Sequence, residues 1–110
     1  MESVNIEEIS NFKSSKAVKT IPIISKQLMS TVFFIDAKTT TPTHKHQWFD
    51  EIYYIIEGKG KITVDSESKI IKKGMLILVP KTKQHNFSTD GERLTVLSIN
   101  IVSDGNKNNY

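Results

Sequence analysis

The stretch HKHQWFDEIYYIIEG, residues 44–58, decides how this chain is read. Its second half, Glu51 to Ile56, is dense in β-branched and aromatic residues and runs out at Gly58, which predicts a strand. On a strand Tyr53 and Ile55 face one way, and Ile52, Tyr54 and Ile56 the other, so both faces are apolar. A sheet with one wet face alternates apolar with polar residues instead. One face is therefore expected to line an interior, and the other to meet a second sheet or a partner subunit. A homodimer is expected on this ground. In the first half, alternation puts His44 and His46 on one face with Lys45 opposite. Glu51 lies five residues beyond His46, an odd offset that would turn it away on an unbroken strand. A bend or bulge within residues 47–50 is therefore predicted, bringing Glu51, Tyr53 and Ile55 to the side of the histidines.

Working outward, nearly every segment reads as strand: IPII (21–24), STVFFIDA (30–37), KITV (61–64), SKIIK (68–72), GMLILVP (74–80), HNFST (85–89) and RLTVLSINIV (93–102). EGKG (57–60) reads as a tight turn with positive φ, and Asp65 to Ser68 as another. Residues 13–19 read as loop. Asn5 is placed to cap a helical turn over Ile6 to Ile9, with Glu7 and Glu8 where the helix dipole favours acids. The spacing predicts an all-β sandwich or barrel, and the lack of sustained 3.6-residue periodicity excludes a helical bundle. The expected division is a cap and leading strand over 1–29, a barrel over 30–102 and a flexible tail over 103–110.

Composition limits the function. One domain is expected from 110 residues. With no cysteine there is no disulfide framework, thiolate metal site or cysteine nucleophile. Glu2, Glu7 and Glu8 stand where a signal peptide carries lysines, and no apolar run nears the ~20 residues of a membrane span, so a cytoplasmic location without membrane attachment is expected. The net charge of +3 is carried by scattered lysines and one arginine, Arg93, which argues against nucleic acid as a partner.

The third histidine, His85, follows the Gly74–Pro80 strand and its loop. It would complete a set of three imidazoles and one carboxylate. Each histidine alone is better read as a surface or core residue. All three together, with a correctly spaced acid, point to a cation, because a barrel interior would not bury them without a partner. Tyr53 and Phe87 are expected to wall a substrate pocket. Asp50, Lys81 and Lys83 read as solvated.

These two stretches resemble the motifs of the cupins, small double-stranded β-helix (jelly-roll) barrels. His44, His46, Glu51 and Gly58 fit the first motif, and Gly74, Pro80 and His85 the second. The resemblance spans roughly residues 30–102. Lys38 stands in place of the leading glycine, Thr82 in place of the glycine before His85, and Thr89 in place of the final asparagine. The resemblance implies that His44, His46, Glu51 and His85 ligate one divalent transition metal per chain (Fe, Mn, Ni, Zn or Cu), with Glu51 as a candidate catalytic base. It implies dioxygenase- or isomerase-like chemistry on a small polar chelating molecule. The rival expectations are a non-catalytic sensor for a sugar or organic acid, and a structural dimer with a vestigial site.

Overall fold

The computed structural model describes residues 1–102; the tail expected over 103–110 lies outside the described residues. Seven strands form the fold, all paired antiparallel: β1 (Ala17–Thr20), β2 (Leu28–Ile35), β3 (Glu51–Val64), β4 (Glu67–Lys72), β5 (Leu76–Val79), β6 (His85–Ser88) and β7 (Leu94–Ile101). No helix is present among the described residues, and none is therefore long and apolar enough to cross a membrane.

β3 organises the two layers. Its first half pairs with β5 and β7, continuing through β2 to β1, while its second half pairs with β4 and β6. A register shift between Ile55 and Glu57 marks where the strand bends from one sheet into the other. Gly58 follows at φ 89°. The EGKG stretch is therefore a bulged continuation of one 14-residue strand, not a hairpin turn. The hairpin lies at Asp65-Ser66, with Asp65 at φ 51°, a conformation that aspartate tolerates.

The core sits between the layers. Ile35, Tyr53, Ile55, Ile62, Ile71, Val79, Phe87, Leu94 and Val96 form one buried cluster. Two local expectations change. Residues 17–19, read as loop, pair with β2 as part of β1, and the apolar IPII makes only the bridge Ile24–Met29. AVKT is too short to signal a strand, whereas the Pro22 ring removes a backbone donor. The N-terminal cap is a single turn, irregular rather than helical: Asn5 Oδ1 accepts from Glu8 N at 3.2 Å, and Ile9 N reaches Ile6 O at 3.3 Å. Beyond it Phe12 packs edge-on against Phe34, with ring centroids 5.4 Å apart, and Arg93 lies over the Phe12 ring.

That cap covers only one end of the outer sheet face. Ile52, Tyr54, Leu76, Leu78, Ile99 and Ile101 remain exposed, with Leu76 at 69% and Ile101 at 71%. Ile52 opposes Leu78 and Tyr54 opposes Leu76, so these side chains share one surface. Among the described residues, the second apolar face of β3 thus meets no second sheet.

Candidate metal centre

Residues 39–46 form an edge segment zipped to the β6 region. Thr89 N donates to Thr39 O at 2.8 Å, Thr41 N to Phe87 O at 2.8 Å, and His44 and His85 exchange backbone bonds of 3.1 and 2.8 Å. Thr82 N donates to His46 O at 2.7 Å. The two histidine-bearing stretches, some forty residues apart in sequence, are thereby locked in register. The chain bends at residues 47–48, within the predicted interval, before β3 opens with Glu51. Asp50, read as solvated, accepts from Lys81 N at 2.8 Å and so ties the bend to the loop carrying His85.

One ring nitrogen from each of His44, His46 and His85 lies within 4.8 Å of the other two. Their ring centroids are 4.3 Å (44–85) and 5.3 Å (44–46 and 46–85) apart. His46 and His85 are buried, and His44 is half-buried at the rim. Glu51, 1% exposed, stands beside the trio, with Oε2 3.4 Å from His46 Nε2.

Protons can be assigned from the partners. A carbonyl oxygen only accepts, so His44 Nδ1 donates to Pro42 O at 3.1 Å and His85 Nδ1 donates to Lys83 O at 3.2 Å. Both rings are held by the carbonyl two residues upstream, and each keeps its lone pair on Nε2, the arrangement that orients histidine ligands. Burial, reinforced by His44, pushes the His46 pKa down to about 4. Burial also pushes His85 down to about 4; His44 adds to the effect, and the Lys83 carbonyl and Glu51 oppose it. Both imidazoles are therefore neutral at physiological pH, as a ligand must be, and the His46–Glu51 contact is not an ion pair there. Two nitrogens on one ion, each bound at about 2.0–2.2 Å, lie at most ~4.4 Å apart, so small ring rotations close the trio on a cation. The donor set fits a divalent transition metal.

Tyr53 and Phe87 surround the trio differently. The Tyr53 hydroxyl donates to His85 Nε2 at 3.1 Å, and the Tyr53 ring meets Phe87 edge-on at 5.0 Å. Phe87 lines a cavity of about 310 Å³ that also reaches His44. Lys83 lies away from this cavity, 3.4 Å from Asp65. Lys19 on β1 does line it, a residue for which the sequence offered no signal.

Two motif departures acquire a physical meaning. Lys38 and Thr82, both standing where the cupin motifs carry glycine, adopt φ 56° and 71°. The glycine geometry is kept without the glycine. For threonine, β-branched, that region is a real strain of about 1–3 kcal/mol. Thr82→Gly should relieve it, offset partly by the greater freedom of glycine in the unfolded chain. A rise in Tm of roughly 4 °C is expected, corresponding to about 1 kcal/mol. Calorimetry giving an unchanged or lower Tm would show that the loop holds no such strain. At the third departure, Thr89 Oγ1 accepts from Thr39 N at 3.0 Å and donates to Asp36 O, bracing the same edge segment.

An antiparallel barrel with three histidines converging inside it defines a small β-barrel protein with a candidate metal site. The Cupin_2 profile, a cupin domain, matches residues 31–100, and the chain belongs to the cupin family. The uncharacterized protein MJ1618 of Methanocaldococcus jannaschii is 35% identical over 79 residues, 72% of this chain. The match spans about half of that relative, 52% of its length. Among solved structures, a conserved protein with a double-stranded β-helix domain from Klebsiella pneumoniae superposes with a TM-score of 0.84 at 11% identity, covering 96% of this chain and 93% of that one. The polyketide cyclase RemF of Streptomyces resistomycificus superposes at 0.77 with 18% identity, covering 94% of this chain and 80% of that one. At these identities the structural matches establish the fold alone.

Proposed function

We propose that this cupin holds one divalent transition metal on His44, His46 and His85, with Glu51 as the fourth ligand, and acts on a small metal-chelating molecule by oxygenation or isomerisation. The observation that carries this reading is the convergence of three imidazoles, the two buried ones neutral, and two of the three fixed by backbone carbonyls through Nδ1 with the lone pair kept on Nε2. When bound, the metal supplies Lewis acidity and, if redox-active, access to O2. The chain supplies the rest. Glu51, buried beside His46, is a carboxyl group positioned to bind or to take a proton. The Tyr53 hydroxyl is a proton donor at the same place. Two proton-handling groups beside the trio favour catalysis over simple ligand storage.

Equilibrium dialysis against Fe(II), Mn(II), Ni(II), Zn(II) and Cu(II) tests the centre. One equivalent per chain is expected for at least one ion; no uptake of any of them refutes it. Oxygen consumption with Fe(II) and enediols or flavonols would identify an oxygenase, while tight binding without turnover would identify a sensor.

We also propose a homodimer through the outer sheet face. Its exposed residues Ile52, Tyr54, Leu76, Leu78, Ile99 and Ile101 carry no charge that would repel a second copy, and such a contiguous apolar patch is of the kind that interfaces cover. Sedimentation at micromolar concentration should give the dimer mass, and Leu76→Glu with Leu78→Glu should give monomer. A wild-type monomer would defeat the assignment.

A further inference from the structure

We propose that the Tyr53 hydroxyl and a metal ion are alternative partners of His85 Nε2, so that Tyr53 sets how tightly the centre takes a cation. This deepens the reading of the site given above and rests on it. His85 is 1% exposed, and both of its ring nitrogens are engaged. Nδ1 gives its proton to the Lys83 carbonyl at 3.2 Å, which leaves a single lone pair on Nε2. The Tyr53 hydroxyl donates into that lone pair at 3.1 Å. Ligation through Nε2 uses the same lone pair, and one lone pair cannot serve both partners. His85 therefore has to release Tyr53 before it can ligate.

The two side chains face each other from strands fixed in register. Tyr53 is 0% exposed, its backbone is paired with Ile77 on β5 and Ser98 on β7, and its ring meets Phe87 edge-on at 5.0 Å. His85 exchanges backbone bonds of 3.1 and 2.8 Å with His44. Bulk water does not reach this pair to take over the bond, so its loss is felt in full. Only the released form of His85 can ligate, and apparent affinity falls by the fraction of chains in that form. A buried hydrogen bond of ordinary strength makes this roughly tenfold, about 1.4 kcal/mol. Tyr53 is thus a positioning residue: it fixes the His85 ring through Nε2 and weakens the hold of the centre on its cation.

The test compares the full chain with Tyr53→Phe, which keeps the ring and its contact with Phe87, in affinity for Fe(II), Mn(II), Ni(II), Zn(II) and Cu(II) at neutral pH. Whichever ion the wild type takes up should bind Tyr53→Phe about tenfold more tightly; a residue that only supported the site would weaken binding when altered. Tyr54→Phe, the same change on the outward face, should leave affinity within about twofold. In parallel, infrared difference spectra with ring-labelled tyrosine follow the phenol C–O band of Tyr53, identified by its absence from Tyr53→Phe. That band should change in step with metal uptake. Equal or weaker affinity in Tyr53→Phe overturns the proposal, as does a gain as large in Tyr54→Phe or a Tyr53 band that metal uptake leaves unmoved; each of these leaves the centre itself standing. If neither protein takes up any of the five ions, the metal reading falls and the competition falls with it.

Discussion

Replacing His46 by alanine is expected to leave the barrel folded and to weaken metal binding by at least about 100-fold. Loss of an orienting group around a metal already costs about 10–100-fold, and removing a ligand costs more. His46 Nε2 lies 3.4 Å from Glu51 Oε2, so the change removes at once a ligand and a contact of the carboxyl group. Its burial also means that water cannot simply take its place from bulk solvent. The fold should survive because the hydrophobic cluster, from Ile35 to Val96, contains none of the histidines. Metal stoichiometry by mass spectrometry, alongside circular dichroism, checks both halves. A folded variant that still carries a full equivalent of metal would remove His46 from the centre.

Gly58→Ala is expected to lower stability by about 3 kcal/mol or more, combining overpacking with left-handed backbone strain. An alanine Cβ would stand 1.8 Å from the Arg93 carbonyl oxygen, and the backbone there already has φ 89°. The obstructing atom is main chain, immediately before β7, so relief requires β7 to shift against β3. The resulting fall in Tm should be roughly 12 °C or more. Two other glycines calibrate the result. Gly74 has φ 92°, and a methyl group placed there would meet nothing within 4 Å, so Gly74→Ala should cost only the backbone strain, about 1–2 kcal/mol. Gly91 has open space and no positive φ, so Gly91→Ala should be nearly silent. A Gly58→Ala protein as stable as Gly91→Ala would mean that β3 and β7 do not meet this closely.

The bend before Glu51 is legible in the sequence because parity is arithmetic: an even offset joins His44 to His46, and an odd one separates Glu51 unless the chain turns. The antiparallel β class is legible from the strand density between residues 28 and 101. The continuity of β3 is not, because Gly58 and Gly60 suit a turn and a bulge equally well, and only the partners of Ile55 and Glu57 distinguish them. Nor is Lys19. Its strand has four residues, and its inward direction follows from pairing with Phe33, fourteen positions away. Asp50 reads as solvated because its role is to hold a backbone amide thirty-one residues distant. Lys38 and Thr82 read as losses from a motif, although the backbone conformation expected of glycine persists at both.

Because β3 is common to both layers, the barrel cannot breathe like two plates parting on a hinge; separating them would mean breaking one continuous strand. On the histidine side, β1 is hydrogen-bonded to β2 and the 40–46 segment to the β6 region. Among the described residues no strand pairing joins the two across the seam between them, so any opening of the wall is expected there and not along β3.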